Sequence, residues 1–299
     1  MMNLEHFKLH TPKPQPVDSI ENLRFRVERF FRPPSIRAER SLPLALDSAQ
    51  TLRPELKIEH PSKSVANFLN FLTDALPDGD VYLFGGILRD LALHGQRGFN
   101  SDIDLVVEGD WPNCAAYLHK LGAQHNKFGG YRLTVAGWPI DIWNAKETWA
   151  IREGFVPYYG IGSLTETTVL NWDAILMNWR TKVFVHRRTY IEAIRQRILD
   201  VVLQKNPNPL GMAVRVFRHL CLKDAKQITT SAAEYLAKCA HAYGYQELQN
   251  SEIQSYGNSA IRAPVYTFFA HLDLHHDALD MQGRFKIASN AVAQELGLA

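Results

Sequence analysis

The stretch LFGGILRDLALHGQRGFNSDIDLVV, residues 83–107, places two adjacent glycines between an apolar run and a helical pattern. A second apolar run then carries Asp102 and Asp104, one residue apart. "DVYLFGG" reads as a short buried strand that stops at glycine, "GILRDLALHG" as a helix ended by Gly95, and "SDIDLVVEG" as a second strand. Side chains alternate across a strand, so Asp102 and Asp104 project from one face. Two such carboxylates close together repel each other and resist desolvation. A bound divalent cation removes both costs, and Mg²⁺ commonly takes one or two protein carboxylates plus substrate phosphates. By itself an Asp-x-Asp pair more often marks a strand end facing water.

Two further features bear on that choice. Gly85 and Gly86 sit at a strand-to-helix turn, where glycine permits close backbone approach and a helix N-terminus offers unpaired N–H groups to phosphate. Asp141, in "GWPIDIW", is a third carboxylate inside a later apolar strand. Three acids on adjacent strands beside a phosphate-binding turn form the arrangement that two metal ions use for in-line phosphoryl or nucleotidyl transfer.

Outward from this stretch the chain divides three ways. Of the fifteen prolines, eight fall at or before Pro61, and no glycine precedes Gly79, which marks residues 1–60 as a Pro/Arg-rich extension. Within it "DSIENLRFRVERFF" reads as an amphipathic helix, capped by Asp18 or Ser19 and stopped by Pro33-Pro34. Six arginines between Arg24 and Arg40 alternate with Phe25, Phe30 and Phe31. They suit either a nucleic-acid or protein partner, or a helix docked on the main body with its arginines snorkelling. Residues 61–200 follow an α/β rhythm. "YRLTVAG" and "WPIDIWNA" read as strands joined at Gly137, "TVLNWDAILMNW" and "TYIEAIRQRI" as helices, and "KVFVH" as a strand between them. Residues 201–299 read as all-helical.

Composition narrows the class of protein. The 299 residues are 46% hydrophobic and 21% charged, as in a globular protein with a sizeable core. A net charge of +2 does not by itself call for a polyanionic partner. No apolar run is long enough to span a membrane, and the N-terminus lacks a signal-peptide pattern, so a cytoplasmic protein without membrane contact is expected. Cys114, Cys221 and Cys239 fit no metal or disulfide spacing and read as buried thiols. No Ser-His-Asp, Walker or Rossmann pattern occurs. "HLDLHHDALD", residues 271–280, offers His271 and His275 on one helical face, but spacing supplies no third zinc ligand.

The quoted stretch resembles the signature of the DNA polymerase β-like nucleotidyltransferase superfamily. It is most similar to the head of bacterial CCA-adding enzymes and poly(A) polymerases, with Gly-Gly-x-Val-Arg-Asp, a spacer and Asp-x-Asp. "KFGGYRLTVAGWPIDIW" is similar to that family's strand pair ending in the third carboxylate, here Asp141. "LNWDAILMNW" and "ILDVVLQKNPNPLGMAVRVFRHL" resemble the segments that follow, the latter with Arg215 and Arg218 on the family's spacing. Over residues 62–220 the resemblance implies a mixed sheet with flanking helices and then a helical neck. It implies that Asp102, Asp104 and Asp141 ligate two Mg²⁺ or Mn²⁺ ions and are catalytic, that Gly85 and Gly86 admit the triphosphate, and that Arg89 contacts phosphate or a nucleic-acid backbone, the alternative for Arg89 being a surface ion pair with a nearby acid. The implied reaction moves an NMP from an NTP such as ATP to a hydroxyl, with RNA, a tRNA 3′ end among the options, as acceptor.

The departures matter too. Where the family carries Arg-Arg-Asp before Phe-Thr-x-Asn-Ala, this chain has Thr167-Thr168-Val169, and Asp173 replaces the Asn. Threonine hydroxyls do not replace bidentate arginine grips on phosphate. "NPNPLGMAV" lacks the acids and arginine that read the base edge, and about 80 residues follow Arg218. These features argue against a housekeeping CCA-adding enzyme. Lys127, Arg132, Lys146 and Arg152 are candidate replacements for the phosphate grip, and Asn171 and Asp173 could equally face a base pocket or serve as helix-surface or capping residues. The rival expectation is a catalytically inactive RNA- or protein-binding member of the fold, such as an antitoxin or a complex subunit.

Overall fold

The computed structural model describes residues 15–32, 63–99, 101–126, 129–223 and 225–272. Helix α1 spans Ile20–Phe31 and α2 Val65–Asp74, with Ser19 and Ser64 as their N-caps, each accepting an N–H from the first turn. Strand β1 (Asp80–Phe84) leads through Gly85 into α3 (Gly86–His94), followed by β2 (Ile103–Glu108) and α4 (Trp111–Lys120). Then come β3 (Gln124–His125), β4 (Tyr131–Val135), β5 (Trp138–Asn144) and the one-turn α5 (Trp149–Arg152). Strands β6 (Ile175–Asn178) and β7 (Phe184–His186) and helix α6 (Tyr190–Gln196) complete the α/β part. The seven strands form one mixed sheet in the order β3-β4-β5-β2-β1-β6-β7, in which β2 and β5 run parallel and every other neighbouring pair is antiparallel. The expected α/β class with flanking helices is observed.

After β8 (Ile198–Leu199) the described residues are mainly helical: α7 (Pro209–Leu222), α8 (Thr230–Ala242), α9 (Tyr245–Tyr256) and α10 (Ala263–Ala270). A two-residue strand β9 (Gln227–Ile228) interrupts them and pairs parallel with β8. One buried apolar cluster runs from the sheet, through Leu83, Leu105 and Ile142, to Leu72 and Leu88 of α2 and α3. It continues into α7, α8 and α10 at Phe217, Leu236 and Phe269.

The two faces of the sheet differ. Odd positions of β1 and β2, such as Val81, Leu83, Ile103, Leu105 and Val107, belong to this main core. Even positions face the other way, where Tyr82, Phe84, Val106 and Leu176 form a smaller cluster with Ala145 and Leu164. Asp104 lies on that second face, by strand alternation.

The segment "TVLNWDAILMNW" is not helical as expected. It makes a 3₁₀ turn at Asn171–Asp173 and then becomes β6, whose four residues are all buried. A strand packed on both faces shows no alternation, so a short apolar run does not separate it from a buried helix.

The N-terminal helix is docked on the body. Arg26 donates to Leu91 O (2.9 Å), Ala92 O (3.1 Å) and Gln15 O (2.6 Å), adding a charged donor to α3 carbonyls that already accept the N–H groups of Gly95 and Val17. Phe30 meets Phe31, Phe99 and Trp138 edge-on. Over this helix Arg26 is docked, Arg29 and Arg32 are exposed, and Arg37 and Arg40 lie outside the described residues. Arg26→Ala should lower stability by about 1–2 kcal/mol, because it removes three charge-assisted hydrogen bonds, two of them partly buried, that tie α1 to α3 and to Gln15. A calorimetric melt checks this, and an unchanged melting temperature would mean that α1 is held by its apolar face alone.

Candidate active site

The site is built where β2 and β5 run side by side. Their parallel register sets Asp104 opposite Asp141, and Phe84 of β1 opposite Asp104 on the other side. Asp102 lies just before β2, two residues from Asp104 and therefore on the same side. The three expected acids thus share one region of one sheet face. Lys127 and the histidines beyond His271 lie outside the described residues.

A fourth residue completes the group. Arg132 of β4 pairs in register with Asp141. Its Nε donates to Asp141 Oδ1 at 2.8 Å, and its Nη2 donates to both Asp141 Oδ2 and Asp102 Oδ2 at 2.5 Å. The guanidinium therefore bridges the acids of two strands. Both ends of the Asp102 bridge are accessible, with side-chain exposures of 53% for Arg132 and 43% for Asp102, whereas Asp141 is at 19%.

Asp104 is the electrostatic outlier. Burial pushes its carboxyl up to about 7, and the neighbouring Asp141, Asp102 and Asp173 push the same way, against an opposing pull from Arg215 of α7. Arg132 and Arg215 thus leave the acidic group undercompensated. The donor set is all carboxylate oxygen, the chemistry that Mg²⁺ and Mn²⁺ select. Among the described residues no three acidic, histidine or cysteine side chains are gathered into a coordination shell, and Arg132 lies between two of the candidates. The residues fit a divalent ion in type and in net charge.

The glycine turn borders the same region. Gly85 has φ of +61°, a left-handed conformation that glycine adopts without strain, and a Cβ there would come within 3.6 Å of the Asp173 carbonyl. No side chain caps α3 at this end. Its first N–H groups are therefore the uncompensated donors that anions use.

Arg89, the expected phosphate contact, lies beneath this turn rather than in the open. Its side chain is 6% exposed, its Nε donates to Asp90 (2.8 Å) and its Nη1 to Asp173 (2.5 Å). Lys223, at the end of α7, approaches Asp90 at 3.0 Å. Despite burial, Arg89 and Lys223 together hold Asp90 below the usual carboxylate range. Asp173 is thus engaged with Arg89. Asn171 is tied to Ile198 O (3.0 Å) and Asp200 N (2.9 Å), so both side chains are taken up by the scaffold.

The other residues from the sequence are placed as follows. Thr167 and Thr168 donate to Leu164 O (2.8 Å) and Leu170 O (3.0 Å). Arg152 meets Glu153, and Lys146 sits over the Tyr158 ring. Trp138 stacks on Phe99, Trp143 meets Phe84 edge-on and donates to Thr148, and Trp149 leans on Phe155. Arg218 pairs with buried Glu252 and covers Tyr256. Asp173 and Lys223 as members of a buried charge network were not foreseen. A usable signal was the Asp at 173 where the resemblance expects Asn, since a buried acid needs a cation.

No family model matches the chain, and a search of curated proteins finds no match. Solved structures are similar in fold at low identity. A Thermotoga maritima CCA-adding enzyme complexed with tRNA is 16% identical at a TM-score of 0.48, with 78% of this chain and 50% of that one covered. An apo CCA-adding enzyme is 18% identical at 0.49, covering 74% and 51%. A tRNA nucleotidyltransferase with a primer tRNA and an incoming ATP analog is 14% identical at 0.47, covering 71% and 62%. The chain spans about half the length of the first two structures it matches.

Proposed function

We propose that this chain is a metal-dependent nucleotidyltransferase of the polymerase β-like type, moving an NMP from an NTP to a hydroxyl on RNA. The observation that carries the reading is the register of Asp104 against Asp141 on parallel strands, with Asp102 beside them and the uncapped turn at Gly85-Gly86 close by. Asp102, Asp104 and Asp141 would hold the divalent ions. Such ions, when bound, ease deprotonation of the attacking hydroxyl and neutralise charge on the leaving pyrophosphate. The chain's own contribution is position and field. The first amides of α3 offer donors to phosphate oxygens. Gly85 keeps that approach free of a side chain, and the Phe84–Trp143 pair walls the site on the sheet face. Arg89 acts here as a scaffold residue that fixes the turn from below.

Retention of three acids at one place supports catalysis over the inactive binding-module reading, because close, poorly compensated carboxylates cost stability. The test is incorporation of each labelled NTP into total RNA with Mg²⁺ or Mn²⁺, comparing the wild type with Asp102→Asn and Asp141→Asn. Labelling that falls at least about a thousandfold in both variants is expected, because each removes a ligand charge from a site that works by charge stabilisation. No labelling of RNA by the wild type with any NTP would refute the proposal, and labelled protein instead of RNA would correct the acceptor.

A further inference from the structure

The resemblance leaves this chain without its expected arginine grip on the nucleotide, while the structure places an arginine inside the acidic site. Arg132 is the charged group that bridges Asp102 and Asp141. It is half exposed on β4, so its long side chain can leave these acids without disturbing the core. Thr167 and Thr168, which stand where the grip is expected, spend their hydroxyls on backbone carbonyls. Arg152 pairs with its chain neighbour Glu153 rather than with the three acids, and Arg89 is buried.

We propose that Arg132 is both the internal counter-ion of the acidic site and the chain's phosphate grip, exchanging Asp102 and Asp141 for the nucleotide's phosphates when divalent ions enter. The inference rests on the nucleotidyltransferase reading. A guanidinium and a divalent ion compete for the same carboxylate oxygens, so Arg132 weakens metal binding in the free protein. Once displaced, the planar fork suits phosphate as well as carboxylate. One residue therefore opposes the metal and favours the nucleotide, and the two ligands become coupled through it.

The experiment uses the full chain and two binding measurements, with Arg132→Ala, Arg132→Gln and Arg132→Lys beside the wild type. Mn²⁺ is titrated alone by calorimetry and by electron paramagnetic resonance. The α,β-methylene analogues of the four NTPs are titrated at saturating Mg²⁺. Arg132→Ala and Arg132→Gln should bind Mn²⁺ about tenfold more tightly and the analogue at least about tenfold more weakly, about 1.4 kcal/mol in each direction. Arg132→Lys should lie between, since one ammonium does not reproduce the two-acid bridge. A merely structural Arg132 would not shift two affinities in opposite directions.

Mn²⁺ binding that is unchanged or weakened in the Ala and Gln variants would overturn the proposal, as would unchanged analogue binding. If the wild type still incorporates labelled NTP in either case, nucleotidyl transfer stands and the Arg132 exchange alone falls. If neither wild type nor variants bind Mn²⁺ and no NTP is incorporated, both readings fall together.

Discussion

Asp104→Asn should abolish nucleotidyl transfer and at the same time make the protein more stable near pH 8. The two effects share one cause. Burial, then the nearby Asp141, Asp102 and Asp173, push the Asp104 carboxyl up to about 7, while Arg215 opposes them. The ordinary value is 3.8, so the folded chain binds this proton more tightly than the unfolded chain does. Folding stability is then highest below about pH 4 as far as this group is concerned. It falls as pH rises towards 7 and stays at the lower level above it. The full shift corresponds to at most about 4 kcal/mol, and relaxation and coupling to Asp141 reduce it.

Asn cannot ionise, so the variant keeps what the wild type loses between pH 4 and 7. Melts in EDTA from pH 5 to 8.5 should show a declining wild-type curve and a flatter Asp104→Asn curve, a few degrees higher at the alkaline end. Added Mg²⁺ should raise the wild type by mass action and leave the variant nearly unmoved. Transfer should fall at least about a thousandfold, because the lost charge sits on β2 directly opposite Asp141 of β5. A variant that is less stable than wild type at pH 8, or one that retains transfer, would refute this account. Asp102→Asn is the contrast: Asp102 is more exposed and bridged by Arg132, so its loss should remove activity with a smaller gain in stability at pH 8 than Asp104→Asn brings.

What could be read from the residues follows from how local each determinant is. The strand–Gly-Gly–helix–strand order of residues 80–108 was legible, since a short apolar run bounded by glycine, a left-handed glycine and a glycine helix stop are short-range. That Asp141 sits beside Asp104 was legible as an expectation of adjacent strands, but its register is not local. It depends on a parallel pairing across 37 positions that the main core sets by burying Ile103, Leu105, Ile140 and Ile142. Arg132 was named among several cations near the third acid, and its position opposite Asp141 singles it out. β6 was misread because a central strand lacks polar alternation. Arg89 was misplaced for a related reason. A charged pair one turn into a helix suggests a solvent face, yet every residue of α3 from Ile87 to Leu93 is buried, because the sheet, α1 and α6 all pack around it.

That burial makes Arg89 the position where a substitution should do the most damage to the fold. Arg89→Met should destabilise the protein by about 3–5 kcal/mol, since truncating one partner leaves its buried counter-charges without compensation. Asp173 loses its 2.5 Å ion pair, and Asp90 retains only Lys223 at 3.0 Å. The surroundings cannot absorb the change. His219 of α7 lies against the same group, and its burial, with Arg89, Arg215 and Lys223 nearby, holds it well below its ordinary value, so it stays neutral and supplies no replacement cation. The network also joins elements distant in sequence: α3, the turn before β6 and the end of α7. Its loss should therefore loosen the seating of α7 as well as the Gly85-Gly86 turn, which hydrogen exchange at those amides would register as lost protection. The compensating test is Arg89→Met with Asp173→Leu. Removing both charges takes away the unpaired acid, so the double variant should recover much of the stability lost by the single one, with a coupling energy of about 1–3 kcal/mol. If Arg89 instead served chiefly to hold phosphate, Arg89→Met would melt like the wild type and lose nucleotide affinity, and the double variant would recover nothing.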